Sequence, residues 1–394
     1  MKIALLKGNR FNPWHLQGFT RLRGNPEVTA FRAESQIQQH FNGRDDGSLQ
    51  LKEERIYFDT QAGNPVSRIG NVFRERYRGR NPEILPFHER LKGFDVIQTW
   101  ELFTDWTAEA LEAKARYGIP VSVMVWDNVP FNMETNRRRI AIKRRAIKEA
   151  DRFIVYTKRS RRTLVLEGVP EARIVHVDPG VDTTRFEPGP GDRAALGLDP
   201  DAFTIAFVGW LVPRKGLDYL LLALRELVND PAFSGTKIQL LVVGSGAGMD
   251  RVERLVDRLA VRDQCVFAGS LPYSAMPNVY RSADVFALPS VASEQWQEQF
   301  GMSLIEAMAC GKPVVASRSG AIDEVANGTA ALCQPNDFFT LFEALKPLVM
   351  NRERRVELGA KGRDRVLEKF DLTRHASQLS DVYGELNGVA HAAE

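Results

Sequence analysis

Only three cysteines occur in the 394 residues, Cys265, Cys310 and Cys333, and none belongs to a CxxC pair. An odd number set among apolar neighbours excludes a disulfide framework and a zinc ribbon. It points to buried thiols in a reducing compartment. The six histidines are scattered and form no HExxH pair, so metal-ligand spacing is missing as well. No uninterrupted apolar run nears the ~20 residues that span a bilayer. The opening run Ile3-Ala4-Leu5-Leu6 is too short for a signal-peptide core and no small-residue cleavage site follows it. The chain is therefore expected to begin at Met1 and to act in the cytoplasm. Short-period repeats and long low-complexity stretches are lacking too. What is present, 44% hydrophobic and 26% charged residues, describes a globular chain long enough for two domains.

Net charge is only +3, but it is unevenly spread. Arg137, Arg138, Arg139, Lys143, Arg144 and Arg145 open a basic block that runs to Arg162, opposed only by Glu149 and Asp151. Such a block reads as a solvated helix face, as a surface for anionic membrane, or as a nucleic-acid patch. The last would need a groove-entering motif, and none accompanies it.

Short apolar or β-branched runs alternate with helical patterns. In the first half they are Ile3–Leu6, Asp95–Thr99, Val121–Val125, Phe153–Tyr156 and Ile174–Val177. In the second they are Thr204–Val208, Gln239–Val243, Val266–Ala268, Val285–Leu288, Val314–Ala316 and Ala330–Leu332. This pattern predicts an α/β protein with parallel sheets covered on both faces. The Pro-, Gly- and Asp-rich stretch from Asp178 to Gly191 reads as a linker between two doubly wound domains. Open sheets of this kind bind ligands at the carboxyl ends of their strands, and two facing domains would enclose a cleft.

Three stretches of the second half carry chemistry. Gly209 through Gly216 follows a strand and holds Arg214 and Lys215, a chelating cation and a point charge suited to phosphates, or else a solvated basic loop. Gly244-Ser245-Gly246-Ala247-Gly248 is a tight strand-to-helix turn rather than a dinucleotide fingerprint. Its third glycine is misplaced, and Asp263 precedes the next strand instead of ending it. The segment Glu298 to Gly311 places one carboxylate in a loop and a second, Glu306, on the first turns of a helix starting near Ser303. Ser303 and Glu306 can form a capping box. Alternatively, Glu298 and Glu306 serve hydroxyl groups while the N–H groups from Gly301 to Ser303 serve an anion. Together these suit a nucleotide sugar.

The pattern Glu298-x7-Glu306 enclosing Phe300-Gly301 resembles the signature of retaining GT-B glycosyltransferases of family 4, the glycosyl transferases group 1. The Gly209–Gly216 loop, Ala283 to Ser290 and Gly311 to Ala316 resemble its flanking elements. The likeness is continuous from about Phe203 to Ala331 and weaker at Asp95-Val96-Ile97 and Pro179 to Asp182. It implies two Rossmann-like domains, 1–183 on the acceptor side and 184–370 for the nucleotide sugar, with 371–394 forming a helix that returns to the first. It implies that Glu298 accepts from donor-sugar hydroxyls, Glu306 holds the ribose and Lys215 binds the diphosphate beside Gly209. Backbone around Phe300, Gly301, Met302 and Ser303 would contact sugar and phosphate, and Gly269 and Ser270 would flank the base. Family members often carry Arg directly after the glycine of the phosphate loop. Here that residue is Trp210, and Arg214 is the cation available in its place.

In the first half, Phe11, Trp14 and Phe19 are candidates for stacking on an acceptor sugar, and His15 for a base. Asp127, in Trp126-Asp127-Asn128, either orients a hydroxyl or caps the next helix. The resemblance implies retention of configuration, and no nucleophile is evident, so the expected chemistry is same-face displacement from a UDP-, GDP- or ADP-sugar to a glycan or lipid-linked hydroxyl. Metal is not expected to be required, and nucleic acid is not an expected partner. The protein would lie in the cytoplasm, with peripheral contact at the inner membrane face through 137–162. A nucleotide-sugar epimerase, a nicotinamide-dependent dehydrogenase and a non-catalytic nucleotide-binding module are the rival readings.

Overall fold

The computed structural model describes residues 1–8, 13–34, 51–57 and 86–392. They divide into two compact units. The first comprises Met1–Tyr156, Ser160–Val177 and Ala376–Glu394, and the second Thr157–Arg159 and Asp178–His375.

The first unit is built on seven parallel strands: β1 (Lys2–Gly8), β2 (Glu27–Glu34), β3 (Lys52–Tyr57), β4 (Val96–Trp100), β5 (Val121–Val125), β6 (Arg152–Val155) and β7 (Ile174–His176), in the order β3-β2-β1-β4-β5-β6-β7. Strands β4 and β5 are buried at every position, as continuous apolar runs covered on both faces must be. β2 and β3 have no counterpart among the sequence-based strands. They lie at one edge, and the Lys-Glu-Glu-Arg opening of β3 is the charged composition that protects an edge from pairing further. Helix α1 (Asp105–Tyr117) starts where the Thr104 hydroxyl accepts from Thr107 N–H and stops at Gly118 in the left-handed region. Helices α2 (Arg137–Glu149) and α3 (Lys158–Leu166) follow.

The basic block is partly neutralised by acids. Lys143 is buried between Glu167 at 2.6 Å and Glu134 at 3.2 Å, Arg138 pairs with Asp105, and Arg145 with Glu149 and Glu112. Arg137, Arg144, Lys148 and Arg162 remain exposed and pair with no acid among the described residues.

The second unit carries β8 (Phe203–Val208), β9 (Ile238–Val243), β10 (Cys265–Gly269), β11 (Val285–Leu288), β12 (Val314–Ser317) and β13 (Ala331–Cys333), all parallel, in the order β10-β9-β8-β11-β12-β13. Its helices are α4 (Leu217–Asn229), α5 (Met249–Arg258), α6 (Met276–Ser282), α7 (Met302–Ala309), α8 (Ile322–Ala326), α9 (Phe338–Met350) and α10 (Arg352–Lys369). The six strands match the sequence-based runs: β8, β9, β11 and β12 are buried apolar stretches between loops, and the edge strands β10 and β13 are apolar but only half-buried. Cys310 and Cys333 are buried free thiols, as expected; Cys265, on the edge strand β10, is a free thiol that is only half-buried.

A last helix, α11 (Leu372–Ala392), begins in the second unit and from Ala376 onward belongs to the first. There Tyr383 OH donates to Gln98 Oε1 at 2.9 Å and its ring packs against Phe19. Among the described residues no helix is long and apolar enough to cross a membrane.

Each sheet order reverses once, between β1 and β4 in the first unit and between β8 and β11 in the second. At such a switch point the two following connections leave in opposite directions and open a crevice at the strand ends.

Candidate active site

In the second unit the connection after β8 is the loop Gly209–Val212, a single 3-10 turn (Pro213–Lys215) and Gly216, which sits at φ 72°. A Cβ on Gly216 would stand 1.8 Å from the carbonyl oxygen of Pro289, so only glycine allows the turn to rest on the exit of β11. Val291 N–H closes the contact by donating to the carbonyl of Arg214 at 2.9 Å. This close approach delivers Lys215, whose Nζ donates to Glu298 Oε2 at 2.7 Å. Ser290 Oγ donates to the same oxygen at 2.6 Å. The Glu298 backbone is fixed as well: its N–H donates to Ser319 Oγ at 3.1 Å, and its carbonyl accepts from Ala321 N–H at 3.0 Å. Burial pushes the Glu298 carboxyl up. Lys215, Ser290 and Arg214 together outweigh that and hold it below the ordinary carboxylate range. It is a buried, ionised and oriented carboxylate.

Glu306 lies on the second turn of α7, and it is not part of a capping box. The helix begins at Met302 with Gly301 as its cap at φ 88°, and no side chain caps its first N–H groups. The Glu306 carboxylate instead accepts from Tyr273 OH at 2.9 Å on one oxygen and from Tyr280 OH at 2.7 Å on the other. Desolvation pushes its pKa up, and the two phenols pull partly against that. The tyrosines come from outside the helix, so a pattern read within four residues could not find them. Phe300 is buried and meets Phe370 edge-on at 5.5 Å, so its side chain is core while its backbone lines the start of α7. Met302 and Ser303 are half-buried on the first turn.

The Gly244–Gly248 segment is a tight turn. Its backbone is spent on the neighbouring loops: Gly244 N–H donates to Gly269 O and Gly248 N–H to Leu211 O, both at 2.8 Å. Those two donors are not available to a phosphate, which counts against the dinucleotide reading. The same contacts set the phosphate-loop glycine, since Gly209 N–H donates to Val243 O at 3.0 Å. Ser270, beside Gly269 at the end of β10, shares a 2.7 Å hydroxyl contact with Ser245.

In the first unit Asp127 follows β5. It accepts from Val129 N–H and Asn132 Nδ2, both at 3.2 Å, and desolvation raises its pKa despite those bonds. It does not cap the next helix; Asn136 does, accepting from Arg139 N–H at 3.0 Å. Phe19 is also not a stacking platform, since it is buried against Trp100 and Tyr383. Phe11 and the side chains of Trp14 and His15 lie outside the described residues.

Two groups here had gone unremarked in the sequence. Lys7 is the last residue but one of β1 and Glu101 follows β4, so they flank the switch point of this sheet. Glu101 adopts φ 62°, unusual for a residue with a side chain, and its Oε1 accepts from Trp126 N–H at 3.0 Å. Its Oε2 is buried with no hydrogen-bond partner among the described residues. Desolvation pushes Glu101 up to about 8 and Lys7 down to about 8. The Lys7 ammonium stands 4.5 Å from the Trp100 ring centre. Sequence reading also passed over Ser290, Ser319 and Trp296. Each acts through a contact with a residue remote in sequence or through a turn, which periodicity does not register.

Two doubly wound parallel-sheet units, the last helix joining the first of them, are the GT-B architecture, and solved structures share it. The Anabaena protein Alr3699/HepE, crystallised with UDP, superposes with a TM-score of 0.75 over 98% of this chain and all of that one at 18% identity. A Thermosynechococcus elongatus sucrose-phosphate synthase gives 0.75 over 99% of this chain and all of that one at 21% identity. Residues 190–365 match the model of glycosyl transferases group 1, and residues 43–185 match that of Glycosyltransferase Family 4. The chain belongs to this glycosyltransferase family. It is similar to a D-inositol 3-phosphate glycosyltransferase of Saccharomonospora viridis, at 35% identity over 63% of this chain and 59% of that relative. It is also similar to a GDP-mannose-dependent phosphatidylinositol monomannoside mannosyltransferase of Mycolicibacterium smegmatis, at 32% identity over 61% of this chain and 63% of that relative. The matched stretch thus spans about three fifths of the length of these curated relatives.

Proposed function

We propose that the protein transfers a sugar, with retention of configuration, from a nucleoside diphosphate sugar to a hydroxyl acceptor. The observation that carries this reading is the Lys215–Glu298 pair at the β8/β11 switch point, with Arg214 beside it. Lys215 has three N–H donors and gives one to Glu298, which leaves two for diphosphate oxygens. Arg214 and the uncapped first turn of α7 add positive potential where the leaving group develops charge. Glu298 keeps lone-pair capacity for sugar hydroxyls, and Glu306, steadied by its two tyrosines, for the ribose diol. The bond from the anomeric carbon to the diphosphate breaks, and a bond to the acceptor oxygen forms on the same face. The acceptor proton passes to the departing phosphate oxygen. The protein's own cations meet the diphosphate charge, so transfer is expected to survive EDTA.

The relatives support a nucleoside diphosphate sugar as donor. HepE is crystallised with UDP-glucose, and the mycobacterial relative is GDP-mannose-dependent. The acceptor class is a hydroxyl on a glycan or lipid-linked carrier, oriented by Asp127. Action is placed in the cytoplasm. Arg137, Arg144, Lys148 and Arg162 are the cations left for peripheral contact with an anionic membrane, at roughly 1 kcal/mol each near the surface. Sedimentation with phosphatidylserine vesicles checks this: R144E with K148E is expected to lower binding, and unchanged binding removes the membrane contact.

The central reading is tested by thermal shift with UDP-, GDP- and ADP-sugars, followed by product analysis with and without acceptor. Stabilisation by one nucleotide class and transfer in EDTA support it. No stabilisation by any of them overturns it, and an isomerised donor without acceptor favours the epimerase.

A further inference from the structure

We propose that Trp296 is a positioning residue for the phosphate-binding cations, its ring holding Arg214 and Lys215 side by side so that Arg214 supplies the charge missing at Trp210. The inference rests on the nucleotide-sugar reading and extends it to a residue outside the Glu298–Glu306 signature.

The Arg214 guanidinium lies 4.9 Å and the Lys215 ammonium 5.4 Å from the centre of the Trp296 ring. Both are within cation–π range of the strongest aromatic partner for it. Adjacent cations on one turn repel each other, and left alone their long side chains would diverge into water. The negative π-system of one ring offsets that repulsion and draws both toward the same tryptophan.

The loop that carries Trp296 is built to hold it there. Trp296 N–H donates to Ser293 Oγ at 3.1 Å, and Ser293 N–H returns to Trp296 O at 2.8 Å. The Asn336 side chain clamps the backbone of Ala292 from both sides, at 3.1 and 3.0 Å. Val291 N–H then binds the Arg214 carbonyl, so cation turn and tryptophan loop are joined at both backbone and side chain. The same loop leads directly into Glu298, whose carboxylate Arg214 helps keep ionised. Trp210 itself is exposed and brings no charge.

The experiment measures affinity for UDP, UMP, GDP, GMP, ADP and AMP in wild type, W296A, W296F and R214M, with the ligand-free melting temperature of each as a folding control. For whichever diphosphate binds the wild type, W296A is expected to bind it about tenfold more weakly. W296A should also lose most of the preference for diphosphate over monophosphate, and W296F should restore it. In R214M the further loss on adding W296A should be clearly smaller than in wild type. Equal weakening of both phosphate forms would place Trp296 on the base or sugar and overturn the proposal. So would unchanged diphosphate binding in a folded W296A. A wild type that binds none of the six nucleotides would instead remove the donor reading on which the proposal stands.

Discussion

Both units place a lysine and a glutamate across the point where sheet order reverses, Lys7 and Glu101 in the first, Lys215 and Glu298 in the second. The topology is the same, but the electrostatics are opposite. Glu298 is in contact with its lysine, receives a serine hydroxyl and is anchored at its backbone, so it stays ionised although buried. Glu101 has one buried oxygen without a partner among the described residues, and both it and Lys7 are displaced toward their neutral forms by desolvation. Location at a switch point supplies the crevice; hydrogen bonding decides whether a charge can be kept in it. The second unit has spent its local structure on a permanent charge pair, as binding a diphosphate and a sugar would require. The first has a proton-holding centre.

The sharpest way to break this comparison is E298A. It removes the carboxylate that Lys215 and Ser290 converge on, and transfer is expected to fall to background while circular dichroism is unchanged. Wild-type turnover would strip Glu298 of its role, and the second unit would then have no advantage over the first.

The next largest effect is on stability. Gly8 and Gly216 both have positive φ on the loop side of a switch-point strand, at 92° and 72°. Among the described residues G8A meets nothing closer than Trp106 at 3.7 Å, so it is expected to cost the backbone preference of about 1–2 kcal/mol. G216A drives a Cβ to 1.8 Å from Pro289 O, and the turn must move. G216A should lower the melting temperature well beyond G8A and weaken nucleotide binding with it. Equal losses would mean that the phosphate turn does not need its close seat.

The smallest effect carries the sign of the electrostatic difference. Glu101, raised from 4.5 to about 8, contributes stability that is complete below 4.5 and lost as pH rises through 8. Lys7, lowered from 10.5 to about 8, contributes stability that is complete above 10.5 and lost as pH falls through 8. Their joint cost is therefore greatest near pH 8. Glu298, held below 4.5, contributes stability present above that value and lost as pH falls through its lower folded pKa. Melting temperatures of wild type against E101Q should diverge in favour of the variant between pH 5 and 8. Wild type against E298Q should lose its advantage on acidification below about 4.5. Parallel profiles for the two variants would erase the distinction drawn here.

Much of the second unit was legible in the sequence because each strand is a short apolar run, and each strand end carries glycine or charge. Glu298, Lys215 and Arg214 could be placed by that logic alone. The tyrosines on Glu306 could not, since they join residues 26 and 33 positions away, and a capping box was the nearer explanation. The first unit was harder. β3 is an edge strand and β2 lies next to it, and their charged residues break the apolar signal; Lys7 and Glu101 sit in runs that show no motif. They matter only because the sheet order makes neighbours of β1 and β4.

Helix α11 has a consequence for biosynthesis. The surface around Gln98 and Phe19 that receives Tyr383 is translated first but stays uncovered while the intervening second unit, roughly two hundred residues, is made. At ordinary elongation rates that delay is about 10–40 s. The nascent first unit must wait, apolar patch open to the ribosome exit and to chaperones, until a segment encoded far downstream completes it.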